Sequence, residues 1–294
     1  MTSFNYTDYS LPDDLIQKLK SQFDSMASPD SASSATVAAS DSESNFALAA
    51  DKLLDLLESG RLASAEKDSN GNWQAITWVK QAILAIFRNS GLAANTAWPG
   101  GSVDKQLLPQ RIFGLTHGIR IVPGGSSVRR GAHIKPGVVI MPPSYVNIGS
   151  SIGEGTMVDS HVLVGSCAQI GRRVHLSAGV QIGGVLEPSG ACPVIVEDDC
   201  FLGALSGLFE GLVMRQGAVL APGVVVSKST RVYDLVKHCE YQGEIPAGAV
   251  VVSGSRPARG LWARRRSLSL YAPCIVKYRD AGTDAALLLE EALR

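Results

Sequence analysis

Residues 144–183 read SYVNIGSSIGEGTMVDSHVLVGSCAQIGRRVHLSAGVQIG, and an aliphatic side chain returns at every sixth position: Val146, Ile152, Val158, Val164, Ile170, Leu176 and Ile182. An α-helix repeats every 3.6 residues and a plain strand every two, so neither produces this spacing. Followed backwards, the frame holds through Ile140, Ile134 and Val128, making ten aliphatics in ten slots. Four residues after each of the first nine stand Ala132, Val138, Ser144, Ser150, Thr156, Val162, Ala168, Val174 and Val180, all small or β-branched. Short strands joined by tight corners, with one buried residue per hexad and coils stacked on a shared core, meet that pattern. The expected fold is mainly β, a parallel β-helix of hexapeptide repeats.

Followed forwards, the frame is broken by GVLEPSGACPV at 184–194 and reads as resuming at Ile195, Phe201, Gly207, Val213, Val219 and Val225. Of these sixteen slots only Gly207 has no side chain. An otherwise regular chain leaves one rung empty, and that vacancy asks for a reason.

The flanks have other rhythms. Residues 1–44 contain the Ser/Ala-rich run 27–44 and read as a flexible N-terminal segment and linker. Residues 45–118 read as mostly helical. Leu48, Leu53, Leu54, Leu56 and Leu57 fall at helical spacing ahead of a C-capping Gly60, NGNW marks a turn, and a second amphipathic helix ends at Gly91. The β-helix is expected over 119–231. Residues 232–294 form a small C-terminal extension with strands in GEIPAGAVVVSGSRP and SLYAPCIVKYRD and a closing helix in DAALLLEEALR.

Charge and composition narrow the function classes. With 27 basic and 27 acidic residues the chain is formally neutral, which gives no reason to expect nucleic acid or an acidic membrane surface. No apolar run reaches the length of a membrane span, and the first residues lack the pattern of a signal peptide. Five cysteines without close pairs argue against a disulfide framework and for a reduced, cytoplasmic setting. His133, His161 and His175 were weighed as a metal set. Their separations do not stack on one face of successive 18-residue coils, so no metal site is expected.

SYVNIGSSIGEGTMVDSHVLVGSCAQIGRRVHLSAGVQIGGVLEP, IVEDDCFLGA, IPAGAVVVSGS and SLYAPCIVKY together resemble the tetrahydrodipicolinate N-succinyltransferase family of bacterial lysine biosynthesis, from about residue 45 to the C-terminus. The resemblance implies a left-handed β-helix and a homotrimer with active sites in the clefts between subunits. It implies an acyl-CoA co-substrate, no permanently bound cofactor, and an acceptor amine on a cyclic or opened amino-dicarboxylic acid. The family's substrate-contacting Arg matches Arg120 in HGIRIVP, and its catalytic Asp matches Asp159 in MVD. The second catalytic carboxylate, a Glu in a segment running GARSE, falls on Gly207, and the Arg of that segment falls on Leu205. The family's Trp in DTW falls on His161. Ser166 joins Arg120, Leu205 and Gly207 as an expected substrate-side residue.

N-acylation from a thioester needs an ammonium to lose its proton, donors for the developing oxyanion, and an amine held in line with the carbonyl carbon. Asp159 is the candidate to take or orient that proton; capping a corner is its plainer role. His161 is the candidate replacement base, because imidazole titrates near neutrality, and a surface histidine is the plainer reading. Glu210, three residues past the vacancy, reads as a solvated corner residue. Arg256, Arg259, Arg264 and Arg265, in SRPARGLWARRRS, suit the phosphates of CoA, or else form a solvated loop.

The changes at 205 and 207 point to a diverged paralogue in a secondary pathway that borrows a lysine-like intermediate, of which tabtoxin biosynthesis is one known setting. The competing class is a pseudoenzyme, a trimeric scaffold that has lost turnover. A sugar or serine acyltransferase on the same scaffold is the weakest reading, because the resemblance extends into both flanks.

Overall fold

A computed structural model describes residues 13–26, 36–96, 101–280 and 282. Its body is the left-handed parallel β-helix, built from three sheets of two- to four-residue strands. Sheet A stacks Arg120–Ile121, Val139–Ile140, Met157–Val158, His175–Leu176, Phe201–Leu202, Val219–Leu220 and Ala249–Val252. Sheet B stacks Ser127–Val128, Tyr145–Val146, Leu163–Val164, Gln181–Ile182, Gly207–Phe209 and Val225–Ser227. Sheet C stacks His133–Ile134, Ser151–Ile152, Gln169–Ile170, Ile195–Val196, Val213–Met214 and Glu244–Ile245. The chain passes A, B, C in turn, and each coil pairs in parallel with the next. Ile134, Ile152 and Ile170, for example, lie in one register.

The repeat places one aliphatic per hexad inside. Val128, Ile134, Ile140, Val146, Ile152, Val158, Val164, Ile170, Leu176 and Ile182 form a continuous buried column, and Ala132, Val138, Val162, Ala168, Val174 and Val180 fill the corners. Past the interruption the inward frame differs by one residue from the sequence reading. Ile170 pairs with Val196, and the core continues through Leu202, Leu208, Met214, Leu220 and Val226. Ile195, Phe201, Gly207, Val213, Val219 and Val225 therefore sit on the outer faces. Gly207 is an outward position beside a filled core rung, Leu208.

One boundary also moves. The coil continues beyond 231, because after an excursion Glu244–Ile245 pairs with Val213–Met214 and Val250–Val251 with Val219–Leu220. Ile245 and Val251 are core residues that the sequence reading assigned to the C-terminal extension. Cys274–Tyr278 then lies antiparallel to Ala249–Val252 and pairs in turn with Arg231–Asp234, beyond which Cys239–Gln242 forms the edge of sheet A. The expected closing helix in DAALLLEEALR lies outside the described residues.

The N-terminal part is helical but not uniformly so. Helix α1 spans Asp13–Met26, α2 Thr36–Glu58 and α3 Thr77–Asn89. The run read as a linker is thus partly helix, continuous with the Leu-rich stretch that follows it. Two antiparallel hairpins, Ala65–Lys67 with Trp73–Ala75 and Leu92–Asn95 with Ser102–Lys105, break the expected helical region. Leu53, Leu54 and Leu57 of α2 and Val79, Ile83 and Ile86 of α3 pack with Ile148 and Cys167 at the B–C corner, while Leu48 is exposed. The small hairpin is fastened to sheet C: the Trp73 indole donates to Glu197 Oε1 at 2.9 Å, and Lys67 Nζ lies 3.0 Å from the same oxygen. Lys80, wholly buried, donates to the carbonyls of Pro188 (3.1 Å) and Ala191 (2.7 Å) and ties down the interrupting loop. These elements lie against sheet C and the B–C edge, and the hairpin Leu92–Asn95/Ser102–Lys105 also reaches the lowest coils of sheet B, where Asp104 pairs with Arg129.

Candidate active site

The A–B edge is a column of stacked turns. His161 N–H donates to Pro143 O (2.7 Å), Gly179 N–H to Ser160 O (2.8 Å), Leu205 N–H to Ala178 O (2.9 Å) and Gly223 N–H to Ala204 O (2.9 Å). The tight corner demands a left-handed backbone, which glycine supplies readily at 179 and 223. His161 and Leu205 adopt it with side chains, at φ 62° and 59°. Such a conformation is uncommon for a γ-branched residue, and Leu205 is also 73% exposed.

Asp159 opens the turn that carries His161. Its N–H donates to Leu176 O at 2.9 Å. Its carbonyl accepts the Ser144 hydroxyl at 2.7 Å, and that same hydroxyl accepts Val162 N–H at 3.2 Å. The backbone is thereby pinned on both sides of the corner while the half-buried carboxylate points outward, Oδ1 accepting Ser160 N–H at 2.7 Å. His161 is exposed and its carbonyl accepts from Gln181 Nε2 at 3.2 Å. Both the corner-capping role and an outward carboxylate are therefore present in Asp159.

Arg120 lies on the outer face of sheet A, paired with Val139, which pairs in turn with Met157. Two inter-strand steps and two residues along the strand separate it from Asp159, about 12 Å between backbones. His175 occupies the same face between Met157 and Phe201, nearly buried, its ring centroid 4.9 Å from that of Phe201. It was considered in the sequence only as a metal ligand. The other two histidines of that set lie elsewhere, His133 on sheet C with Nδ1 2.7 Å from Glu58 O, and His161 on the A–B edge.

Gly207 has its explanation in Phe209, which the sequence reading passed over. An ideal Cβ at 207 would stand 2.7 Å from Phe209 Cε2, and one at Gly183 2.7 Å from Phe209 Cδ1. The ring lies flat across both glycines on sheet B. The signal was available: residues two apart in a strand share a face, so Gly207 and Phe209 are neighbours there. Leu205 is cradled similarly, since a Cβ at Gly179 would stand 2.6 Å from Leu205 Cδ2.

One expected residue, Ser166, sits elsewhere, and Glu210 is the solvated corner residue that the sequence suggested. Ser166 is nearly buried at the B–C corner, its carbonyl accepting Val185 N–H at 3.2 Å, across the width of sheet B from Asp159. Glu210 is at that corner too, exposed and accepting the Ser229 hydroxyl at 3.1 Å. Hydrogen bonds from Ser227 and Ser229 hold its carboxyl below the usual glutamate value.

The arginines lie on one arm. Ser255–Pro257 and Ser269–Tyr271 form a hairpin, and helix α4, Leu261–Arg265, caps its far end. Arg256 is on the first strand, Arg259 in the connection, and Arg264 and Arg265 on α4, while Arg266 stacks its guanidinium 4.2 Å from the Trp262 ring centre. At the root, Tyr271 Oη accepts Val225 N–H at 3.0 Å. Val225 pairs directly with Gly207, so the basic arm stands one coil above Gly207 and Phe209. Among the described residues no group of three or more His, Cys, Asp or Glu is gathered to hold a metal ion, and no helix is long and apolar enough to cross a membrane.

Comparison with known proteins agrees with this architecture. Residues 31–88 match the model of the tetrahydrodipicolinate N-succinyltransferase N-terminal domain, and residues 193–228 match that of the hexapeptide repeat of succinyl-transferase. A 2,3,4,5-tetrahydropyridine-2,6-dicarboxylate N-succinyltransferase of Methylobacterium sp. (strain 4-46) is 44% identical over 252 residues, 84% of this chain and 89% of that protein. The protein of the same name from Afipia carboxidovorans is 44% identical over 247 residues, 82% of this chain and 87% of its own. The chain belongs to the tetrahydrodipicolinate N-succinyltransferase family of acyltransferases.

Proposed function

We propose that this chain is a cytoplasmic, acyl-CoA-dependent N-acyltransferase that transfers a succinyl or acetyl group to the amine of a tetrahydrodipicolinate- or L-2-aminopimelate-like amino-dicarboxylic acid. The observation that carries the reading is the alignment of arm, edge and carboxylate. The arginine arm is rooted over Val225 on sheet B, and Asp159 lies around the A–B corner three coils below, about 14 Å down the stack by strand spacing with the corner still to be turned. CoA phosphates held by Arg256, Arg259, Arg264 and Arg265 let the pantetheine run down the edge past Leu205 and bring its thioester to Asp159. Arg120, on the adjoining face, pairs with an acceptor carboxylate.

With an open amino-acid acceptor the ammonium gives one proton to Asp159, with His161 as the neighbouring relay; a cyclic imine has no ammonium and takes up one water instead, whose oxygen becomes the carbonyl of the opened chain. The freed amine attacks the thioester carbon, forming the C–N bond. Collapse breaks the C–S bond, the amine's second proton passes to the departing thiolate, and amide and CoA thiol leave. Asp159 returns its proton to solvent, so each turnover of an open acceptor releases one proton.

The working unit on this reading is a homotrimer. Above the lowest coils the outer faces of A and B carry no covering domain, and large apolar side chains stand in water beside them: Ile112 at 92% exposure, Leu115 at 102% and Leu205 at 73%. Clefts between neighbouring columns would bury these groups and complete the site. A lysine-related or tabtoxin-type pathway is the setting that suits such a family member.

The deciding experiment is a panel of acyl-CoAs with L-2-aminopimelate and with tetrahydrodipicolinate, following thiol release. Absence of turnover across the panel would sink the enzyme reading. A catalytically impaired scaffold is the second reading, favoured by the apolar Leu205 and bare Gly207. It predicts no turnover whether or not CoA raises Tm.

A further inference from the structure

We infer that the acyl group transferred is short and uncharged, acetyl in place of succinyl, and that Phe209 and Leu205 select it. This deepens the reading above and rests on it.

Phe209, on the outer face of sheet B, and Leu205, at the A–B edge, flank Gly207 on coils between the root of the basic arm and Asp159. Three glycines make room for them. A Cβ at Gly207 or Gly183 would collide with the Phe209 ring at 2.7 Å, and one at Gly179 with Leu205 Cδ2 at 2.6 Å. The two side chains are therefore seated against bare backbone. Neither is needed for the core, whose rungs here are Leu202 and Leu208. Leu205 occupies a left-handed backbone position that favours glycine and is left largely in water. A lining role accounts for both oddities.

The charge around these two side chains is equally specific. The edge column is Pro143, His161, Gly179, Leu205 and Gly223, and the first outward row of sheet B is Ser127, Tyr145, Leu163, Gln181, Gly207 and Val225. None of these is Arg or Lys. The succinyl carboxylate, carried into such a surface, gives up water and meets no cation from this column's edge or first outward row. An acetyl methyl loses nothing and packs against the ring. Arg120 lies two strands below Asp159's own strand, on the acceptor side of the thioester, and the arm's arginines are placed for the phosphates.

The test measures kcat/KM for acetyl-CoA and succinyl-CoA with L-2-aminopimelate, in the native chain and in Leu205→Arg/Phe209→Val, alongside calorimetric binding of CoA to the native chain. Native enzyme is expected to favour acetyl-CoA by about tenfold or more, the scale on which an unpartnered polar group is rejected. The double variant, with a guanidinium and an opened wall, is expected to move the ratio toward succinyl-CoA by a similar factor. Native preference for succinyl-CoA overturns the inference whatever the variant does. So does an unmoved ratio in a folded, active double variant. If that variant does not fold, Phe209→Leu, which removes only the flat ring, must still narrow the acetyl preference, and an unchanged preference overturns the assignment to Phe209. Native chain that binds CoA but acylates with neither donor refutes the acyltransferase reading itself, and the inference with it.

Discussion

The hydroxyl of Ser144 donates to the carbonyl of Asp159 at 2.7 Å and accepts the N–H of Val162 at 3.2 Å, so one small side chain from the coil below fixes the corner from which the candidate base projects. The carboxylate itself contributes a single local bond, to Ser160 N–H. Asp159→Asn keeps the shape and the backbone clamp while removing the proton acceptor. It should leave Tm and CoA affinity near the native values and lower kcat roughly 100-fold or more. Near-native turnover in that variant would remove Asp159 from the chemistry.

The trimer gives a second expectation. With Ile112, Leu115 and Leu205 exposed in one chain, light scattering should return three times the monomer mass. An active monodisperse monomer would place the whole site on one column and rule out a shared cleft.

Glu197 gives the stability a pH dependence. Burial pushes its carboxyl up, but the Trp73 indole, Lys67 and the Gln216 N–H outweigh burial and hold it below the ordinary 4.5. A carboxyl lowered on folding stabilises the folded state above its unfolded value, and that contribution is lost as pH falls through the folded value. Acid should therefore loosen the N-terminal hairpin from sheet C below about pH 4. Glu197→Gln should cost roughly 2 kcal/mol at neutral pH, the scale of hydrogen bonds to a charged group, and flatten the acid limb of the Tm profile. An unaltered profile would show that this contact does not hold the domains together.

The coil architecture was legible because its first ten hexads obey one rule without exception, from Val128 to Ile182. The later register was not, and the reason is packing. Ile195 and Val196 are both buried though only Val196 lies in the column; Val219 and Leu220 are a second such doublet, with Leu220 in the column. With two adjacent apolar residues per strand, periodicity alone does not say which points inward, and the loop at 184–194 removes the count that would. Asp159, His161, Leu205 and Gly207 could be singled out as candidates because they stand in or beside recognisable segments. Phe209 was not singled out, because its significance is spatial: the ring replaces a side chain two residues away. Ser166 was misplaced for a related reason, since its corner is the one covered by the helical domain.

Lys80 anchors the loop responsible for that break in register. Its ammonium is wholly buried and donates to two carbonyls of the loop, Pro188 and Ala191. Lys80→Ala leaves a cavity and two unpaired acceptors, and should destabilise the chain by about 2–4 kcal/mol. Proteolysis should then begin within 184–193. A variant with native Tm and no new cleavage would show the loop to be held by other contacts.

The last expectation concerns Gly207. Opening a cyclic imine while acylating its nitrogen benefits from two carboxylates, one serving water and one the ring nitrogen, whereas an open amino acid needs a single deprotonation. With one carboxylate at this edge, the native chain should act poorly on tetrahydrodipicolinate and better on L-2-aminopimelate. Restoring a second acid is not a single substitution, because a side chain at 207 enters the space of the Phe209 ring, 2.7 Å from Cε2. Gly207→Glu alone should displace the ring and bury an unpartnered charge, at a cost of several kcal/mol. Phe209→Val frees the volume and Leu205→Arg supplies a counter-charge on the adjoining corner. The triple variant should therefore be more stable than Gly207→Glu and should raise the ratio of cyclic to open acceptor kcat/KM by about tenfold, less than the roughly 100-fold or more of a natively positioned general acid–base group. If the native chain already prefers the cyclic acceptor, or if the folded triple variant leaves the ratio unchanged, position 207 does not govern acceptor choice.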